Sequence, residues 1–169
     1  MPLNLTKKYN ELLDLLGLNE PQRNASLRGV FNRDIQENPY FSFNGKPIYP
    51  TPKEDGQIAM EILFAHLTTK EEDKETHHRE FDMKRSQRLH WIRYHIDCKK
   101  ENNMLYFSVD ENRSIRTYIY DLDERYVIVL ELLRNKEGYY LLTAYPLTGK
   151  DSKRDKILKK YKRRLPYLA

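Results

Sequence analysis

Apolar positions recur at helical spacing through the first half of the chain and at a spacing of two through much of the second. Leu5, Tyr9, Leu12, Leu13 and Leu16 share one helical face, which predicts a helix over 5–16 that ends at Gly17, a usual terminator. Pro21 suits the first turn of a second helix running to about Gln36. Between Tyr40 and Pro50 the pair Asn44-Gly45 separates two short aromatic runs, the signal of a tight hairpin, and Pro47 is expected to confine the second arm to a sheet edge. Ile58, Ile62, Leu63 and Leu67 give a third apolar stripe. The charged run Lys70–Thr76 reads as a loop or a solvated helical turn.

A further helix is predicted over about Phe81–Cys98. Its buried stripe is Leu89, Ile92 and Ile96, and its neighbouring stripe is His90, Arg93, Tyr94 and Asp97. The period then changes to two. Leu105-Phe107-Val109, Ile115–Tyr120, Tyr126–Leu133 and Tyr139–Tyr145 read as four strands, joined by short polar turns, so an antiparallel meander is the simplest topology. The segment Ser152–Arg164 follows as a basic helix with Ile157, Leu158 and Tyr161 as its apolar contacts. The predicted class is α+β: N-terminal helices, a four-stranded antiparallel meander and a basic C-terminal helix.

At 169 residues the chain is long enough to bury a core of its own and argues against two independent domains. We therefore divide it only into a helical region, 1–80, packed on or accessory to the same domain, and a core, 81–169. The net charge of +5 is unevenly placed. Lys150–Arg164 holds nine basic and two acidic residues, a net of +7, which leaves the rest of the chain at −2. No apolar run approaches the length of a membrane span, and the first residues lack the apolar core of a secretory signal. A single cysteine, Cys98, excludes an internal disulfide and suits a reducing cytoplasm.

The five histidines show no metal-ligand spacing, so no metal is expected, and no glycine-rich phosphate loop points to a nucleotide cofactor. What remains is a set of polar residues in apolar settings: His90, Arg116, Thr143 and Tyr145. Each by itself fits a structural role. Together they supply what metal-free RNA cleavage needs, in which the 2'-hydroxyl attacks its own phosphodiester: a proton acceptor, a cationic fork for the phosphate and hydroxyl donors. Arg93, Tyr118, Lys159, Lys160 and Tyr161 are the candidate RNA-binding residues, as a basic patch interleaved with stacking rings.

The run Phe81-Asp82-Met83-Lys84-Arg85-Ser86-Gln87-Arg88-Leu89-His90-Trp91-Ile92 precedes Arg116-Thr117-Tyr118-Ile119-Tyr120, Tyr126–Glu131 and Tyr139-Tyr140-Leu141-Leu142-Thr143-Ala144-Tyr145-Pro146. A Lys/Arg-rich segment ending Lys159-Lys160-Tyr161 completes the order. This order resembles the phage-associated branch of the barnase-EndoU-colicin-RelE nuclease superfamily, over roughly Phe81–Arg164. The resemblance implies helices followed by a four-stranded antiparallel sheet and a toxin-like endoribonuclease. It places His90, Arg116, Thr143 with Tyr145, and Lys160-Tyr161 at the active face. A toxin of this kind implies an acidic immunity or antitoxin partner, because charge complementarity speeds its capture. Two alternatives stay open from the residues alone: a non-catalytic RNA-binding module, and a protein-interaction domain for which the tail is a solvated helix.

Overall fold

The computed structural model describes residues 3–50 and 56–169, and side chains from 59 onward in the second span. Ile58, counted above in the third apolar stripe, thus lies outside the described side chains. The elements are α1 (Glu20–Phe31), β1 (Ser42–Phe43), β2 (Lys46–Tyr49), α2 (Gly56–Thr68), β3 (Thr69–Asp73), β4 (His78–Phe81), α3 (Met83–Ser86) and α4 (Trp91–Ile96). They continue with β5 (Met104–Glu111), β6 (Ser114–Asp121), β7 (Tyr126–Leu132), β8 (Tyr139–Pro146), α5 (Gly149–Arg154) and α6 (Lys156–Lys162).

The class is α+β. The four strands β5 to β8 pair in sequence and antiparallel, but they belong to a six-stranded mixed sheet of order β1-β2-β8-β7-β6-β5. The correction comes from β2, which pairs parallel with β8 through Ile48↔Tyr139 and Tyr49↔Tyr140. The Asn44-Gly45 hairpin forms, both residues taking the positive φ that its turn requires. Its second arm is not an edge. Pro47 is tolerated inside the sheet because Ile48 N–H, not residue 47, donates to the Phe41 carbonyl at 3.0 Å.

Alternation along the strands gives the sheet two apolar faces. Ile119, Tyr126, Ile128, Leu130, Tyr139 and Leu141 pack beneath Leu27, Val30, Phe31, Leu63, Leu67, Trp91, Ile92 and Ile96. Residues before and after position 80 therefore share one core. On the opposite face Phe107, Val109, Tyr118, Tyr120, Val127 and Val129 pack beneath Ile157, with Leu158 and Tyr161 beside it. The tail's three anticipated contacts are thus its contacts in the fold.

Several helices end sooner than their periodicity suggests, each for a local reason. The span 5–16 is not a helix: a 3-10 turn, Leu3–Thr6, is followed by irregular chain in which Leu13 and Leu15 are buried while Leu12 and Leu16 are exposed. Asn10 sits at φ 68°, which a helix cannot contain. The segment is tied down by other means, with Asn4 bonded to both the N–H and the carbonyl of Asp14 and Trp91 Nε1 donating to the Glu11 carbonyl. The second helix keeps its anticipated extent, Asn19 capping it and a five-residue π turn, Asn32–Gln36, extending α1. Within Lys70–Thr76 the anticipated loop is only the turn at Lys74–Thr76; Lys70–Asp73 belong to β3, paired with β4 in a hairpin whose residues are nearly all polar and so carry no alternation.

The predicted helix over 81–98 is split. Phe81 pairs with Thr69 at the end of β4, Asp82 caps α3, and the Gln87 carbonyl accepts from Leu13 N–H instead of continuing the helix. The basic tail is likewise two short helices. Asp155, at φ 41°, ends α5 and caps α6 by accepting from Leu158 N–H, while its other oxygen accepts from Tyr120 Oη at 2.8 Å.

Candidate active site

Strand β8 is covered by β2 only at Tyr139 and Tyr140. The outer edge from Leu141 onward is met by side chains from α2, α3 and the β3-β4 hairpin. Arg85, on α3, reaches this edge because the Asp82 cap fixes the start of its helix, Asp82 Oδ1 accepting from Arg85 N–H at 2.9 Å. One guanidinium nitrogen, Nη1, lies 3.2 Å from Thr143 Oγ1, 3.1 Å from the His66 carbonyl and 3.3 Å from the Thr69 carbonyl. The guanidinium carbon stands 5.2 Å from the centre of the Tyr145 ring. Arg79, on β4, donates to Thr69 Oγ1 and to the Thr69 carbonyl, both at 2.9 Å. His66 bonds to the backbone of Leu142 and lies within electrostatic reach of both guanidinium groups and of Glu71. All five side chains are half-buried, so the cluster is open to solvent yet partly dehydrated.

Electrostatics sets their protonation. Among the described residues neither Arg85 nor Arg79 forms an ion pair with a carboxylate, although Asp82 lies within electrostatic reach of Arg85 and Glu71 stands across the hairpin from Arg79. Burial pushes Arg85 below its ordinary value, Asp82 pulling the other way, yet a guanidinium stays charged in water. Burial, and then Arg79, hold His66 below its usual 6.5, so the imidazole is neutral at pH 7 and has a lone pair to accept a proton. Burial raises Tyr145 against the pull of Arg85, which keeps its hydroxyl protonated and able to donate. Two cationic forks, a neutral imidazole and two hydroxyls are the components for binding a phosphodiester and moving a proton beside it.

The residues singled out from the sequence divide among three places. Thr143 and Tyr145 lie in the edge cluster. Arg116 points from the same sheet face but stands in register with Glu131, its Nε 3.9 Å from Glu131 Oε1, two strands away from β8 or about 10 Å at the usual strand spacing. His90 belongs to the layer on the other face. It is 5% exposed, and its Nε2 lies 3.0 Å from the Lys8 carbonyl, where it clamps the N-terminal segment; burial keeps its pKa low. His90 therefore shares no site with Arg116, Thr143 or Tyr145.

The candidate RNA-binding residues also separate. Tyr118 is buried beneath α6, with its hydroxyl donating to Glu111 at 2.9 Å and Lys160 Nζ 5.6 Å from its ring, so it offers no open stacking surface. Lys160 is paired with Glu111 at 2.5 Å, and Tyr161 packs edge-on against Phe107. Lys159 is exposed, and Arg93 lines a cavity beside His90.

His66, Arg79 and Arg85 went unnoticed in the sequence. Arg85 lies within the run that carries the family resemblance, but His66 sits on an apolar helix and Arg79 in a stretch that had no strand signal. Among the described residues no group of three or more His, Cys, Asp or Glu is arranged to hold a metal ion, and no helix is long and apolar enough to cross a membrane. No family model, curated protein or solved structure matches this chain.

Proposed function

We propose that this chain is a metal-independent endoribonuclease, centred on the open edge of β8, that cleaves RNA by attack of a 2'-hydroxyl on the adjacent phosphodiester. The observation that carries the reading is the placement of two arginines without an ion-pair partner, Arg85 and Arg79, beside a neutral His66 and the hydroxyls of Thr143 and Tyr145. In this reading His66 takes the 2'-hydroxyl proton. The 2'-oxygen bonds to phosphorus, the bond to the 5'-oxygen breaks, and Arg85 and Arg79 balance the charge that builds on the phosphate. Thr143 donates to a phosphate oxygen and Tyr145 to the departing 5'-oxygen. The products are a 2',3'-cyclic phosphate and a free 5'-hydroxyl.

The basic tail supports the same substrate. Asp151 on α5 lies within electrostatic reach of Tyr145, so α5, with Lys150, Lys153 and Arg154 exposed along it, begins beside the cluster. Long-range attraction by those charges would bring a polyanion to the edge of β8. An acidic protein that covers this strip is the inhibitor such a toxin requires, and co-purification from its own host is the direct search for it.

The decisive experiment incubates the purified protein with mixed tRNA and mRNA in EDTA and looks for 2',3'-cyclic phosphate ends. Cleavage is expected in the wild type and in a folded His90→Ala variant, and loss is expected in Arg85→Ala and His66→Ala. Salt-sensitive binding without new ends would instead support the RNA-binding module. No RNA binding at low salt would leave the protein-interaction reading.

A further inference from the structure

On the face of the sheet opposite α6, the N-terminal segment, the π turn after α1 and the outer side of α4 border an open cavity of about 720 Å³. Its lining holds five cations, Lys7, Lys8, Arg33, Arg93 and Lys99, against two carboxylates, Asp34 and Asp97. None of these side chains takes part in the edge cluster of Arg85 and Thr143.

Both carboxylates are already in use. Asp34 is 2% exposed; Arg33 donates to its two oxygens at 2.6 and 3.1 Å, and Arg93 Nη1 approaches at 3.7 Å. Asp97 is met by Arg93 Nε at 3.6 Å. Among the described residues, Lys7, Lys8 and Lys99 have no acidic partner, and they arrive from two separate stretches of chain. Like charges held together around a concavity repel one another unless an anion joins them. The surrounding structure fixes the backbone that carries the lysines: His90 clamps the Lys8 carbonyl, Tyr9 stacks flat on Tyr94 with ring centres 4.4 Å apart, and the Tyr94 hydroxyl donates to the Lys99 carbonyl at 3.3 Å. The π turn that carries Arg33 and Asp34 is a form of helix that recurs at functional sites.

We propose that this cavity is a second, independent binding site for a phosphate monoester the size of a nucleoside monophosphate. The volume lies within the range of small-molecule sites and far exceeds a bare phosphate ion. Lysine ammonium groups, as rotatable point charges, suit the terminal dianion of a monoester. Arg93, shared between Asp34 and Asp97, forms the floor against which the phosphate rests, and His90 acts as a positioning residue through the Lys8 backbone. The site stands whether or not the protein cleaves RNA, because it uses no residue of the edge cluster.

The test is calorimetric titration of the full chain with AMP, inorganic phosphate and adenosine at low salt. AMP is expected to bind saturably at one site in the millimolar range or tighter, inorganic phosphate more weakly, and adenosine not at all. Lys7→Ala combined with Lys99→Ala alters two accessible side chains and is expected to weaken AMP by about tenfold with an unchanged melting temperature. Arg85→Ala is expected to leave AMP binding as it was, whatever it does to RNA cleavage. Absence of AMP binding, adenosine binding as tightly as AMP, indifference to the lysine pair, or loss of AMP in Arg85→Ala would each overturn the proposal.

Discussion

Two polar clusters lie on this sheet, and they are built on opposite plans. At the end of β6, Asp121 is fully buried and completely partnered. Its carboxylate accepts from Tyr9 Oη, from His95 Nε2 at 2.8 Å, from Lys100 Nζ at 3.0 Å, and from the N–H groups of Asp123 and Glu124. At the edge of β8, the guanidinium groups of Arg85 and Arg79 bond to carbonyls and hydroxyls and form no ion pair. A buried charge with every lone pair engaged serves the fold. Half-buried cations without a direct ion-pair partner are poised for a ligand.

The largest expected effect breaks the first cluster. Asp121→Ala removes the acceptor shared by Tyr9, His95 and Lys100, and should lower unfolding free energy by about 3–5 kcal/mol in urea titration. Any RNA cleavage per folded molecule should be unchanged. Arg85→Ala is the converse. Loss of a charged donor to the transition state should reduce the cleavage rate by about 10²–10³-fold, while stability falls by about 1–3 kcal/mol, less than in Asp121→Ala, because bonds to the His66 and Thr69 carbonyls and to Thr143 are lost but no ion pair is broken. If Arg85→Ala unfolds the protein and leaves specific activity intact, the contrast between the clusters fails.

Acid should separate the two as well. Hydrogen bonds from His95, Tyr9 and Lys100 outweigh desolvation and hold Asp121 far below the usual carboxylate range. A depressed carboxyl contributes stability above its unfolded pKa of about 3.9, and that stability is lost as pH falls through the folded value. Melting temperature should therefore hold to about pH 4 and then fall, and Asp121→Asn should flatten that fall. His66, depressed by burial, is needed as a neutral base, so the acidic limb of the rate profile should lie below 6.5. An acidic limb above that value would exclude His66 as the base. The smallest effect sharpens the role of α6: Tyr120→Phe removes only the hydrogen bond to Asp155 and should cost about 1 kcal/mol, with little change in cleavage.

Thr143 and Tyr145 were legible as candidates because alternation in β8 puts them on one face, and their register with Val129 and Val127 keeps them there. His90 was equally conspicuous and lies elsewhere. Helical spacing groups it with Arg93, Tyr94 and Asp97, and those four do line one cavity, but no periodicity tells which face of a sheet a helix will cover. Arg79 was missed because a polar hairpin has no apolar rhythm, His66 because it sits on an apolar helix, and Arg85 because nothing in its run shows that α3 meets the edge of β8.

The amino-acid sequence alone determined the four strands of the meander, the Asn44-Gly45 turn, the helix from Pro21 to Gln36 and the concentration of positive charge at the tail. Each rests on local chemistry: alternation, turn residues, capping and composition. Only the tertiary structure decided that β2 joins the sheet beside β8, that Gln87 bonds to Leu13 in place of its own helix, and that Arg85 turns around the strand edge to Thr143. Those outcomes depend on groups far apart in the chain competing for the same hydrogen-bond partners, and that competition is resolved only when the core has formed.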